Sequence, residues 1–383
     1  MNALRYAREL VSFDSVSQKT NAPVSNYIEQ TLTQLRFRTE RIEYERDGVT
    51  KVNVIGCRDA EGTNAKSTAS AGVAFFGHTD VVPADDWAIA EHGPFEPAVN
   101  DNRLYGRGST DMKGPIACML AAAENVKDQE LNHPLYISCS ADEELDHRGI
   151  KEVISRSSIY QELAVGGAKG IVGEPTEMQL VYAHKGGVQI VVTSQGEAAH
   201  SSTRAGVNAN LAMIPFLSEA KAIYDETESN REWMDDEFDP PSLCMNLGIN
   251  DHTAALNVKA AQSICTLCFR PMPSTDTEGL IARIAHAAES CGLAWKIIGT
   301  NPPFRRAPDS EFIDECTKLV GSPPPSTVGF GTEAGNLTEI EHMVVLGPGS
   351  IRQAHTIDEY IELDQLAAGE SGYEKIVQRY CLS

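Results

Sequence analysis

The sequence predicts an α/β protein with a mostly parallel central sheet and a smaller ferredoxin-like βαββαβ domain inserted into it. Three observations carry this. Through the first 180 or so residues, β-rich runs alternate with helical patterns: VAFFG, IACMLAAAENVK, LYISCS, then GIVG. Strand–helix alternation of this kind builds a parallel sheet with crossover helices. After YAHKGG the order becomes strand, helix, two strands, helix, strand, a complete small domain in itself. Finally, the chain has 383 residues, more than one hydrophobic core usually serves.

The elements follow in order. MNALRYARELVSF places Arg5, Arg8 and Glu9 where a secretory leader would be apolar, so it reads as an amphipathic first helix. VAFFG and LYISCS are short apolar runs of buried-strand length. Between them, GRGSTDMKGP leads into a helix with Pro115 in its first turn. In the inserted segment, GVQIVVTSQG is a strand and VNANLAMIPFLSEAKAIYDE a helix. SLCMNLGI and SICTLCFR are two further strands, TEGLIARIAHAAESCG a second helix and LAWKIIGT a last strand. NPPF returns the chain to the α/β texture, which resumes with MVVLG. The division is therefore 1–184 with 300–383 for the larger domain and 185–299 for the insert. Gly186 and Gly187 suit a hinge or an ordinary turn.

Charge and cysteine content narrow the function. There are 54 acidic against 32 basic residues, a formal −22. That field disfavours nucleic acid and anionic membrane as partners; adaptation to high salt is a second reading of it. No apolar run reaches the eighteen or so residues that span a bilayer. The nine cysteines are scattered and mostly embedded in apolar segments, as reduced thiols in a cytoplasm would be. Cys265 and Cys268 have zinc-like spacing but lie in an alternating strand, where positions three apart face opposite ways.

Open α/β sheets bind ligands at the carboxyl ends of their strands. His78 and Asp80 follow VAFFG; Asp142, Glu143 and Glu144 follow LYISCS; Glu174 follows GIVG; and the loop after MVVLGPGS reaches His355. Asp111 joins them from GRGSTDMKGP. Any one of these alone is an ordinary loop residue, and Asp111 alone a helix cap. Together they would repel one another unless a highly charged cation sat among them. Two imidazoles with carboxylates suit zinc and its neighbours better than calcium. A shared Asp between two ions leaves room for water, the mark of a catalytic site. One glutamate of the adjacent pair can then bind metal while the other accepts a proton from water. Asp80 can accept the other ring N–H of His78 and fix its tautomer.

These residues resemble the M20 metallopeptidase and deacylase family over essentially the whole chain. FFGHTDVVP is similar to its GHxDVVP, LYGRGSTDMKG to its GRGxxDMKG and SADEE to its acidic pair; GEPT and GEAAHSS continue the pattern. The resemblance implies a zinc-peptidase-like catalytic domain and an inserted dimerisation or lid domain. It implies two Zn2+ per subunit bridged by Asp111, with Co2+ a possible substitute. His78 and Glu174 complete one metal, Glu144 and His355 the other, and Glu143 is the general base. The peptide after Asp111 is expected to be cis. His200 matches a histidine lent by the partner of a homodimer to polarise the substrate carbonyl. Arg270 matches a clamp on the substrate carboxylate, while Asn257 and Thr332 match positions near the substrate. VGFGTEAGNL and VVLGPGSIRQAHTIDEYIEL look most like the family's acetylornithine deacetylase branch. Gly335 and Asn336 depart from the proline and aromatic residue expected there. A desuccinylase of succinyl-diaminopimelate, another N-acyl amino acid deacylase and a carboxypeptidase are therefore the sibling readings. The expected partner is a small N-acyl amino acid and the expected compartment the cytoplasm.

Overall fold

A computed structural model describes residues 2–61, 71–253 and 255–382. It divides into two compact units. The larger comprises Met1–Ala183, Arg305–Ser326 and Thr332–Ser383; the smaller comprises His184–Phe304 and Thr327–Gly331.

The sheet of the larger unit opens with a hairpin, β1 (Arg38–Arg46) and β2 (Val49–Arg58). Asp47 and Gly48 join them with φ of 51° and 78°. That pair of left-handed residues is what a two-residue hairpin turn of native twist requires, and Asp-Gly supplies it at little strain. Four further strands are β3 (Val73–His78), β4 (Leu135–Ser140), β5 (Lys169–Val172) and β6 (Met343–Val345). They lie in the order β1-β2-β4-β3-β5-β6. β4, β3, β5 and β6 run parallel to one another, while β2 joins β4 antiparallel and Val181–His184 joins β6 antiparallel. Every residue of β3, β4 and β6 is buried, because helices cover parallel strands on both faces. One of these, α1 (Lys113–Asn125), is buried from Lys113 through Ala123 and carries five alanines or glycines that let it lie close. The chain runs from β3 to β4 on one side and then to β5 on the other. This reversal puts a crevice at the end of β3, where His78 lies.

The amphipathic first helix is present as Asn2–Val11, burying Ala3, Tyr6, Ala7, Leu10 and Val11 on one stripe. No helix of the described residues is long and apolar enough to cross a membrane.

The smaller unit is a four-stranded antiparallel sheet with strands Asn246–Asn250, Gln262–Phe269, Gly187–Gln195 and Ala294–Asn301 in that spatial order. Helices Ala209–Ser229 and Thr277–Ser290 complete the βαββαβ arrangement. Burial alternates along Gln262–Phe269. Cys265 is buried and Cys268 half-buried, and all nine cysteines are unbridged. The unit extends beyond 185–299 because its last strand continues to Asn301 and a distant segment joins it. Lys185 N donates to Val328 O at 3.2 Å, and the Thr327 hydroxyl donates to Glu237 O. A Cβ on Gly186 would meet Asn301 O at 2.4 Å and Pro303 N at 2.8 Å. Close backbone approach, not hinge freedom, explains that glycine.

His184 opens the smaller unit fully buried, its Nδ1–H donating to Lys185 O at 2.8 Å and its ring 5.4 Å from that of Phe304. Burial lowers its pKa to about 4. An unfolded histidine titrates near ~6.5, so the unfolded chain takes up a proton first as pH falls. The stability from this residue is whole above that value and drains away towards pH 4, on the order of 3 kcal/mol. Replacing His184 by Gln should flatten the decline of Tm between pH 6.5 and 4 relative to wild type. Parallel declines would rule this origin out.

Candidate metal centre

His78 ends β3 at 1% exposure. Its Nδ1–H donates to the main-chain carbonyl of Asp80 at 2.9 Å, which turns Nε2 toward the crevice. There Nε2 lies 3.0 Å from Asp111 Oδ1, 3.7 Å from Glu174 Oε1 and 3.9 Å from Glu143 Oε2. The other oxygen of Asp111 is 3.3 Å from His355 Nε2, and Glu144 Oε2 is 3.1 Å from the same nitrogen. One carboxylate thus spans two imidazoles, with a glutamate beside each. Donor atoms of His78, Glu143 and Glu174 all lie within 4.8 Å of one another, as do those of His78, Asp111 and Glu144. The Asp111–Met112 peptide is cis, and the cap of α1 is Met112, so Asp111 is not spent on the helix end.

The sequence predicts that the Asp80 carboxylate holds the His78 ring. The structure differs: that carboxylate is 3.7 Å from Nδ1, and the carbonyl makes the bond. The carboxylate instead accepts the Ser17 hydroxyl at 2.8 Å and the N–H groups of Glu143 and Glu144 at 3.1 and 3.3 Å. The short helix Glu143–Asp146 exposes those N–H groups at its start, and Asp142 makes no side-chain cap. Asp80 therefore fixes the imidazole with its backbone and the glutamate pair with its side chain.

Asp142 is fully buried beside that pair and sits in the left-handed region at φ 57°. It accepts from Tyr44 Oη at 2.8 Å and Arg46 Nη1 at 3.0 Å, with Lys51 Nζ at 3.1 Å. Two cations against one carboxylate keep it from adding to the repulsion next door. Glu333, which the sequence pattern does not single out, is buried and accepts the hydroxyl of Ser140, which pairs with His78 in the sheet register. Burial pushes its carboxyl up to about 7.

The charges test whether these residues fit a cation. Burial, reinforced by neighbouring carboxylates, pushes Glu143 and Glu174 well above the usual range, and burial and Asp111 raise Glu144. Burial works against charge on His78, yet its bond to Asp111 and the carboxylates of Glu143 and Glu174 raise it well above normal. Hydrogen bonds to Asp111 and Glu144 carry His355 up to about 10. Burial disfavours the Asp111 anion, but His355 and His78 hold its carboxyl below its ordinary value. The crevice draws protons onto whatever can take them. Oxygen and imidazole donors in this number satisfy a divalent cation without those protons, so the residues fit one.

Thr332, in the larger unit, is buried, and its hydroxyl accepts from Ala334 N at 3.1 Å. His200, Asn257 and Arg270 belong to the smaller unit. His200 is exposed, and its Nδ1 accepts the Ser202 N–H at 3.2 Å. A main-chain N–H can only donate, so the neutral ring carries its proton on Nε2. The main-chain carbonyl of Asn257 accepts from Ser201 N at 2.8 Å. Arg270 is exposed just past the end of its strand.

Fold and centre together define a metal-dependent hydrolase. Residues 74–379 match the family model described as Peptidase family M20/M25/M40. The chain belongs to that family. An acetylornithine deacetylase of Myxococcus xanthus is 31% identical over 97% of this chain and 96% of its own length. One of Yersinia pestis is 30% identical over 96% and 93%. Among solved structures, an M20 family metallo-carboxypeptidase from Sulfolobus solfataricus superposes with TM-score 0.78 at 17% identity, covering 99% of each chain. The dipeptidase Dug1p of Saccharomyces cerevisiae gives 0.75 at 15% identity, over 100% of this chain and 96% of its own.

Proposed function

We propose that the protein removes the acetyl group from N2-acetyl-L-ornithine, giving ornithine for arginine biosynthesis and acetate. The observation that carries this is a glutamate, Glu143, set beside a carboxylate–imidazole cage in a chain similar along nearly its whole length to acetylornithine deacetylases. In this reading His78, Asp111 and Glu174 hold one zinc ion and Asp111, Glu144 and His355 a second. Bound there, the ions act as Lewis acids on the amide carbonyl and lower the pKa of water.

The chain's own groups do the rest. Glu143 takes a proton from the attacking water and delivers it to the departing nitrogen, which leaves as the amine while acetate forms. His200, supplied by the partner subunit, donates its Nε2–H to the oxyanion. Arg270 pairs with the substrate carboxylate through two parallel N–H bonds, with Asn257 beside it and Thr332 shaping the turn that follows. Side-by-side kcat/KM values for acetyl-ornithine, succinyl-diaminopimelate and a dipeptide test the substrate. Acetyl-ornithine should lead, and its being the poorest would refute the assignment.

The smaller unit also supports a homodimer. Val207, Leu211 and Ile214 are 53, 65 and 51% exposed, and Ile249, on the edge strand Asn246–Asn250, is 58% exposed. The opposite edge is interrupted by a bulge between Ile297 and Gly299, a device that discourages strand pairing. A Leu211→Glu, Ile249→Lys double variant should run as a monomer and lose turnover with it; a persisting dimer would refute this face. Unbridged thiols suit a cytoplasmic setting.

A further inference from the structure

We propose that Glu359 is a positioning residue that sets the donor geometry of the centre, by tying the segment that carries His355 to the loop that carries Asp111. The proposal rests on the reading of those two residues as metal ligands. Glu359 is 1% exposed. Its Oε1 accepts the N–H of Thr110 at 2.9 Å and of Asp111 at 3.1 Å. Its Oε2 accepts the N–H of Gly108 at 3.0 Å and Arg107 Nη1 at 2.8 Å. Its own carbonyl accepts from Gly106 N at 3.0 Å.

The backbone explains how this arises. Strand Tyr360–Glu362 pairs antiparallel with Arg103–Tyr105, with Tyr360 opposite Tyr105, so residue 359 meets the loop just as it begins to turn. Gly108 takes φ +84°, and a Cβ there would come within 2.8 Å of Val81 Cγ1. Freed of side-chain bulk, the loop aims the N–H groups of residues 108, 110 and 111 at one point, a concave receptor for an anion. The anion that fills it arrives from four residues beyond His355. One of the three donors is the main-chain N–H of Asp111 itself. The carboxylate therefore pins the backbone from which Asp111 reaches His78 at 3.0 Å and His355 at 3.3 Å. A carboxylate this deeply buried is costly unless its bonds are satisfied, and here charge-assisted bonds satisfy both oxygens.

Glu359→Gln keeps the volume but replaces one acceptor oxygen with an NH2 group facing donors. The test is cobalt binding to chelator-stripped full-length wild type, Glu359→Gln and Asp111→Ala, at a temperature where circular dichroism shows each folded. Affinity is read by competition with a chromophoric chelator, and geometry by the visible spectrum of the bound cobalt. Glu359→Gln should bind cobalt about 10- to 100-fold more weakly, with an altered spectrum and a kcat lowered by a similar factor at nearly unchanged KM. Arg107→Lys, which loosens the carboxylate without removing it, should show a smaller change of the same kind and decides the matter if Glu359→Gln does not fold. Wild-type affinity and spectrum in the deciding variant overturn the proposal, whatever happens to Tm. Failure of the wild type itself to bind cobalt overturns the ligand reading instead.

Discussion

Glu143→Gln should lose about a thousandfold in kcat, in the middle of the range for a positioned general base, while retaining its metal. The side chain keeps its size and one oxygen, so the cage of His78, Asp111, Glu174, Glu144 and His355 stays intact. What disappears is the group that can take a proton and give it back. Burial and neighbouring carboxylates already favour the uncharged form of Glu143 in the stripped centre, and Gln is uncharged too, so the substitution adds no electrostatic cost there. The variant should therefore be at least as stable as wild type when stripped of metal. Metal content by elemental analysis, Tm and kcat together check it. Unimpaired turnover would remove the base assignment, and lost metal would move Glu143 into the cage.

Asp111→Ala should abolish activity and metal binding together. Asp111 places one oxygen 3.0 Å from the His78 imidazole and the other 3.3 Å from that of His355, so its loss takes a donor from both sides of the cage at once. Chelation of the wild type should do the same reversibly. Because the cage exists only in the folded chain, a cation at a thousandfold excess over its Kd stabilises by ~4 kcal/mol. Tm should fall several degrees on stripping and recover on adding zinc or cobalt, while Asp111→Ala should show no such recovery. An enzyme that keeps full turnover after exhaustive chelation, or an Asp111→Ala variant that still responds to metal, contradicts this account.

The gathering of His78, Glu144, Glu174 and His355 was legible because each follows a short apolar run, and in a parallel sheet such runs end at one rim. The inserted unit was legible from the order of its strand and helix patterns. The first hairpin was not. RTERIEYER buries only Ile42 and Tyr44, and its many Glu and Arg residues give it the composition of a helix surface. That hairpin supplies Tyr44, Arg46 and Lys51, the anchors of Asp142. Missing it hid why two glutamates tolerate a third carboxylate beside them. The partners of the Asp80 side chain are not legible in the sequence for a related reason. Sequence shows that a carboxylate is near an imidazole, but not that a carbonyl two residues on reaches the ring first. The role of Glu359 is not legible in the sequence because its partners lie about 250 residues away, and the pairing of strand Tyr360–Glu362 brings them together.

Segment Thr327–Gly331 belongs to the smaller unit while the residues on either side of it belong to the larger. The polypeptide therefore passes between the two bodies four times rather than twice. A single nick at any one crossing leaves them covalently joined, and excising 184–304 with a short splice would strand a five-residue piece without its neighbours. Separating the bodies by engineering means rerouting both excursions at once.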